Sequence, residues 1–192
     1  MTIVIPYNLR LNYLNITLAT LKEAIRNYQC KIILYNTNED DRTCLAIFNE
    51  FADIEIRTDF KKTKDCGRLF IDTLLPSIIN DVFSRSSDSH ILLLDSDTVV
   101  HPDAIKIFYS MLGIVDLGIG TTFNTNTHQF TTVLDDTFGI KRIVGGFGLL
   151  ISRDAWDKYG KNITSNWDVE FSTKISKSID YKVYCTFKSY LE

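Results

Sequence analysis

Two carboxylates stand two residues apart directly after an apolar run in the middle of the 192-residue sequence. Ile91 to Leu94 predicts a buried strand, and Asp95, Ser96 and Asp97 follow at its carboxyl end. Ligands of open α/β sheets bind at the carboxyl ends of strands. Carboxylate oxygens suit Mg²⁺ or Mn²⁺, and phosphate oxygens can complete the coordination shell. The pattern predicts a divalent-cation site for a phosphate-bearing ligand, the alternative being a solvent-exposed acidic turn that caps the next helix.

The elements that must position these residues alternate between two hydrophobic periodicities, which predicts an α/β fold with a mostly parallel sheet covered by helices on both faces. Pro76 should kink or divide the third helix, and residues 124–141 have no clear assignment. The predicted strands are Thr2–Tyr7, Lys31–Tyr35, Ile54–Arg57, His90–Leu94, Ile114–Phe123, a strand following the glycines before Ile151, and Lys182–Thr186. The predicted helices are Leu11–Tyr28, Arg42–Phe51, Gly67–Phe83, Asp103–Leu112, Asp154–Tyr159 and Asp168–Ser176.

Composition narrows the class of protein. Hydrophobic residues make up 45% and charged residues 23%, which is typical of one globular domain and excludes a disordered chain or a coiled coil. The net charge of −3, with lysines clustered only at 61, 62 and 64, argues against nucleic-acid binding. We expect no transmembrane segment and no signal peptide. Four scattered cysteines predict free thiols in a reducing, cytoplasmic compartment.

The segment from Leu92 to Val100 resembles the D-x-D segment of glycosyltransferases with the GT-A fold. The resemblance implies a GT-A, Rossmann-like domain that transfers a sugar from a UDP-sugar, in preference to a GDP-sugar, to a glycan or other hydroxyl acceptor. It implies Mn²⁺ or Mg²⁺ on Asp97, with Asp95 on the metal or the ribose and Ser96 beside the nucleotide. A divalent ion there would stabilise the charge that develops on the leaving diphosphate.

The start of the chain is similar to the opening strand of glycosyltransferase family two, where the strand end cradles the nucleotide base. That likeness places Pro6 at the base site, Tyr7 against the uracil ring and Asn8 in a hydrogen bond to it. The end of the second strand corresponds to a position that reads the base, which here is either Asn36 or Asn38. A plain buried strand followed by a turn is the alternative interpretation of this segment.

Two later segments also resemble the same family. Gly145 to Gly148 resembles its glycine-containing strand, which implies that Gly146 lies beside the sugars, unless the glycines form a bulge or turn. The Trp167–Asp168 pair occupies the place of an acidic pair in inverting members. Asp168 is then the general base that takes the acceptor proton, and Trp167 packs against a sugar ring. Asp168 also suits a helix N-cap, and the two roles are compatible.

One departure leaves the mechanism open. The segment with Lys64 and Arg68, followed by the Pro76 helix, looks like the Arg-Leu helix of retaining family-eight enzymes, which implies that Arg68 or Lys64 contacts the diphosphate or a catalytic carboxylate. The late His-x-x-Gly-x-x-Lys-Pro-Trp segment of that family is absent from the sequence. A retaining enzyme is thus one alternative. The others are a degenerate nucleotide- or sugar-binding domain and a haloacid-dehalogenase-like phosphatase with Asp95 as nucleophile. Residues 1–192 form one domain, either complete or the N-terminal module of a longer protein.

Overall fold

The computed structural model describes residues 1–8, 10–37, 54–60, 67–125, 128–163 and 166–192, with the side chains of 67–71 excepted. Its centre is a nine-stranded sheet in the order β3-β2-β1-β4-β8-β5-β9-β7-β6. The strands are β1 Thr2–Tyr7, β2 Lys31–Asn36, β3 Ile54–Arg57, β4 His90–Leu93, β5 Leu117–Thr121, β6 Phe130–Val133, β7 Phe138–Lys141, β8 Leu149–Ser152 and β9 Lys182–Thr186.

The first four strands of the sheet order are parallel, and the sheet becomes mixed beyond β4. β1 pairs in parallel with both β2 and β4, and β2 pairs in parallel with β3. β8 is antiparallel to β4 and to β5, and β7 is antiparallel to β9 and to β6. The start of β8 therefore lies at the same edge of the sheet as the end of β4, which matters for the site described below.

Helices cover both faces of the sheet, as the hydrophobic patterns predicted. Alternate residues of each strand point to opposite faces, so Ile3 and Ile5 join one core cluster while Val4 joins the other. α1 and α3 pack on the first face, and α2, α4 and α5 pack on the second. The helices are α1 Leu11–Ala24, α2 Gly67–Arg85, α3 Ala104–Met111, α4 Arg153–Ala155 with a π-helical turn Trp156–Gly160, and α5 Trp167–Ser176.

The structure corrects the sequence predictions at several places. β5 is Leu117–Thr121 rather than Ile114–Phe123. α1 ends at Ala24 rather than Tyr28. α2 is one continuous helix of 19 residues through the buried Pro76, so the proline does not divide it. The unassigned stretch forms the β6–β7 hairpin, whose first strand is largely exposed and therefore lacks an apolar pattern. The predicted helix Arg42–Phe51 lies outside the described residues.

Two further expectations concern the chemistry of the chain. Cys30 and Cys185 are free thiols, while Cys44 and Cys66 lie outside the described residues. Within the described part of the chain, no helix has the length and apolar composition needed to cross a membrane.

Candidate active site

The ends of β1, β2 and β4 and the loop before β8 meet at one edge of the sheet. Leu93, the last residue of β4, pairs with Leu149, the first of β8. The D-x-D turn and the glycine segment 145–148 are consequently neighbours, although about fifty residues separate them in sequence. This edge is where the carboxyl ends of parallel strands create a ligand crevice.

The D-x-D turn is held by threonines of α1. The Oγ1 hydroxyl of Thr17, which is buried, donates to the carbonyl oxygen of Ser96 at 3.0 Å. One turn later, the Oγ1 of Thr20 accepts the N–H of Val100 at 3.1 Å. These bonds fix the backbone of the turn on both sides of its second carboxylate, so the direction of Asp97 depends on α1.

Asp95 is partly buried and close to other carboxylates. Burial, with the negative charges of Asp97 and Asp168, raises its pKa to about 7. The larger cause is burial, which disfavours the charged form, and the two nearby carboxylates add to it. The surroundings of Asp95 therefore suit a bound cation, which would offset the mutual repulsion.

Asp97 is more exposed and has a cationic partner that the sequence analysis missed. The Nη1 of Arg10, in the loop between β1 and α1, lies 2.9 Å from the Oδ2 of Asp97. Among the described residues, no group of three or more His, Cys, Asp or Glu side chains is placed to hold a metal ion. Asp95 and Asp97 would thus be its two protein ligands in this part of the chain, with ligand or water oxygens supplying the rest.

Asp168 is fixed by backbone N–H groups from two elements. Its Oδ2 accepts the N–H of Gly146 at 2.8 Å, and its Oδ1 accepts the N–H of Val169 at 2.9 Å. The N-cap of α5 is Asn166, in the left-handed region at φ 41°, so Asp168 lies inside the first turn and is not the N-cap. Each carboxylate oxygen has a second lone pair, which leaves Asp168 able to accept a proton from a ligand.

A cavity of about 330 Å³ joins these segments. Its volume is within the usual range for small-molecule sites. Asp72 on α2 is a further acidic residue in its wall, which sequence analysis missed because nothing around it marks a site. The cavity is lined by Asp72, Leu75, Asp95, Gly146, Phe147, Asn166, Trp167 and Asp168.

Of the residues expected at the nucleotide base, two are buried and two are partly exposed. Tyr7 is 1% exposed and Asn36 is also buried, so neither side chain presents a surface to a base in this structure. The ring of Tyr7 packs in the core at the strand end, so its expected contact with uracil stays a prediction. Pro6 and Asn8 are partly exposed at the same strand end and remain accessible.

Trp167 also differs from the expected arrangement. Its side chain is 3% exposed and belongs to the core cluster that contains Phe171. It reaches the cavity wall beside Gly146 without offering an open ring face for packing against a sugar. Trp167 packs in the hydrophobic core, and this packing explains the aromatic residue at this position.

Three other candidates cannot be placed. Asn38 and Lys64 lie outside the described residues, as does the side chain of Arg68. The structure thus brings Asp95, Gly146, Trp167 and Asp168 together at one cavity, with Ser96 and Asp97 in the adjoining turn.

Comparisons with known proteins agree on the architecture. No protein-family model matches the sequence, and no curated protein matches it either. The structure is similar to a crystal structure of S. aureus TarS 1-349, with TM-score 0.62 and 10% identity over 99% of this chain and 59% of that one. It is also similar to TarS 1-349 in complex with UDP-GlcNAc, with TM-score 0.64 and 12% identity over 99% and 57% of the two chains.

A third similar structure is the galactosyltransferase LgtC in complex with donor and acceptor sugar analogues. Its TM-score is 0.61, with 15% identity over 95% of this chain and 72% of that one. These likenesses confirm the GT-A glycosyltransferase fold. This chain spans less than two thirds of the length of the TarS chains that it matches.

Proposed function

We propose that this chain is a metal-dependent glycosyltransferase that moves a sugar from a UDP-sugar to a hydroxyl acceptor with inversion at the anomeric carbon. The observation that carries the proposal is the shared cavity at the carboxyl edge of the GT-A sheet. Asp95 of the D-x-D and Asp168, the candidate base, line the same cavity. Gly146, in the loop before β8, lines it as well. A plain acidic turn would not require a second carboxylate, anchored by Gly146, across a cavity.

The sheet order suggests how the donor lies. The ends of β2 and β1, with Pro6 and Asn8, are on one side of β4, and the cavity is on the β8 side. A nucleotide-sugar lying across the edge would have its base near β1, its diphosphate near Asp95 and Asp97, and its sugar in the cavity. Uracil is the favoured base, because similar TarS structures hold UDP and UDP-GlcNAc.

Mn²⁺ or Mg²⁺ is the cofactor that the carboxylates suit. Oxygen ligands and clustered negative charge match a hard divalent cation, and the charges of Asp97 and Asp168 add to the effect of burial in raising the pKa of Asp95. Asp95 and Asp97 would hold the ion, which supplies Lewis-acid stabilisation of the leaving diphosphate. Arg10, which is paired with Asp97, is a further cation within reach of this site.

Asp168 would act as general base. As the acceptor oxygen attacks the anomeric carbon, its proton passes to a carboxylate oxygen of Asp168. The bond between the anomeric carbon and the diphosphate oxygen breaks, and the bonding electrons leave on UDP. The hydrogen bonds from Gly146 and Val169 hold the carboxylate in place during this step.

The proposal is tested by comparing Asp168→Asn with Asp136→Asn, an exposed acid in the β6–β7 turn. Sugar-dependent release of UDP is measured with UDP-sugars and a panel of glycan acceptors, and product configuration by NMR. Asp168→Asn keeps an oxygen for the Gly146 N–H but cannot take a proton. We expect transfer to fall by about 10²- to 10⁴-fold, with UDP affinity unchanged. Full activity in Asp168→Asn, with a retained anomeric configuration, would exclude the inverting mechanism.

A further inference from the structure

Asp72 lines the same cavity as Asp95 and Asp168 but lies on a different element. It lies on α2, one helical turn before Leu75, and both residues line the cavity. Asp168 and Gly146 approach from α5 and from the loop before β8. Asp72 is partly buried and makes no hydrogen bond or ion pair with the residues that the structure describes. Its carboxylate is therefore available to a molecule in the cavity.

The composition of the cavity wall indicates what kind of molecule fits. Its described part presents carboxylates, the amide of Asn166 and the apolar side chains of Leu75 and Phe147, and none of the described residues that line it is Lys or Arg. Carboxylates accept strong hydrogen bonds from hydroxyl groups, whereas a second carboxylate without a cation is repelled. A neutral, hydroxyl-rich ring satisfies both the acidic and the apolar parts of this wall.

We infer that Asp72 determines the specificity for the transferred sugar: it accepts a hydrogen bond from a hydroxyl of a neutral hexose and disfavours a uronic acid. The inference rests on the proposed function, because that function places the sugar part of the donor in this cavity. Asp72 lies on the β8 side of β4, whereas the nucleotide base would lie on the β1 side. Its effect should consequently be confined to the sugar end of the donor.

The experiment compares the affinities for UDP-hexoses and for UDP, by calorimetry with Mn²⁺ present. The probes are UDP, UDP-glucose, UDP-galactose, UDP-N-acetylglucosamine and UDP-glucuronate. Asp72→Ala is compared with the wild type and with Asp136→Ala, an exposed acid outside the cavity. Alanine is the best helix former, so the α2 variant should fold.

We expect Asp72→Ala to leave UDP affinity within about twofold of the wild type, and to weaken the preferred neutral UDP-hexose about tenfold relative to UDP. Asp72→Asn should improve the affinity for UDP-glucuronate relative to UDP, because it removes a negative charge. An unchanged ratio for every neutral hexose in Asp72→Ala, or an equal loss for UDP and UDP-hexoses, overturns the inference. Failure of the wild type to bind UDP would instead refute the proposed function itself.

Discussion

Asp168 and Gly146 are coupled through one short backbone contact, so the position of the candidate base depends on the absence of a side chain at residue 146. A Cβ atom there would lie 3.1 Å from the Cζ2 of Trp167 and 3.4 Å from the Oδ2 of Asp168. Trp167 is packed in the core and cannot yield easily. The displacement would therefore fall on the backbone of Gly146, whose N–H holds the Asp168 carboxylate.

Gly146→Ala should lower transfer by about 10- to 100-fold, because small displacements of catalytic groups have large effects on rate. Gly145→Ala is the matched control, since a Cβ at residue 145 would meet no atom within 4 Å. Steady-state transfer rates and UDP affinity measure the effect. Equal activity in the two variants would show that the Gly146–Asp168 contact does not position the base.

Asp95 should reduce the stability of the folded protein at neutral and alkaline pH. Its pKa of about 7 when folded exceeds the value of about 4 for an unfolded chain. The folded state binds the extra proton between these values, so the stability contributed by this group falls as pH rises from about 4 to 7. Above pH 7 the Asp95 carboxylate is charged in the folded protein, and its whole destabilising effect is present.

Asp95→Asn should therefore raise the free energy of unfolding at pH 8 by about 2 kcal/mol, which is roughly half of the unscreened value for a three-unit shift. At pH 4 the gain should vanish, because the wild-type carboxyl is then protonated. Urea denaturation at the two pH values, without divalent cations, measures the difference. A gain of equal size at both pH values would show that charge is not its cause.

Sequence patterns located the residues of the site better than they described its geometry. Asp95 and Gly146 could be proposed because strand ends and glycines mark ligand sites in α/β sheets, whereas Asp168 was proposed from the resemblance to family two. The burial of Tyr7 could not be predicted, because a tyrosine at a strand end can either pack in the core or contact a ligand. Asp72 was missed because it lies within a helix and reaches the cavity through the packing of α2.

At the scale of elements, a buried ionic network attaches α2 to the β2–β3 edge of the sheet. Nη1 of Arg57 on β3 lies 2.6 Å from the Tyr35 hydroxyl and 2.8 Å from the Asp81 carboxylate of α2. The Tyr35 hydroxyl also donates to Asp81 at 2.6 Å. Burial and the bond to Asp81 raise the pKa of Tyr35, which keeps its proton. The network holds the helix that carries Asp72.

Arg57→Ala should lower the free energy of unfolding by about 3 kcal/mol, because the nearly buried carboxylate of Asp81 then keeps the Tyr35 hydroxyl and only one cationic partner, the partly exposed Arg85. Arg26→Ala is the comparison, since Arg26 pairs with Glu23 on the surface and should matter by less than about 1 kcal/mol. Denaturant unfolding of both variants gives the two values. Similar small losses would mean that the network contributes little to stability.

The predictability of the elements follows their burial. β1 and β3 were predicted to the residue, because β1 has an almost continuous apolar run and β3 alternates apolar with charged residues. The β6–β7 hairpin was not assigned because residues 131–133 are exposed. Two of them are threonines and the third is a single valine, so they form no apolar pattern. Pro76 did not divide α2, because tertiary packing of Ile78, Ile79 and Val82 outweighs one lost helical hydrogen bond.

At the scale of the molecule, the proposed donor would lie along one edge of the sheet, across the ends of the neighbouring strands β2, β1, β4 and β8. Binding of UDP-sugar and Mn²⁺ should protect the backbone of residues 94–98 and 144–148 from hydrogen exchange. The hairpin 130–141, on the far side of β9, should exchange as before. Mass spectrometry of peptides from the free and bound protein measures both regions. Protection centred on the hairpin would place the donor elsewhere.

The most direct test of the account is a calorimetric titration of UDP and GDP into the protein, with and without Mn²⁺. We predict micromolar, Mn²⁺-dependent binding of UDP that is lost in Asp97→Ala. Arg10→Ala is the control, because it removes the partner of Asp97 but keeps the carboxylate, and so should retain the Mn²⁺ dependence. Absence of binding by either nucleotide, in the presence or absence of Mn²⁺, would contradict the proposal of a nucleotide-sugar site at the D-x-D.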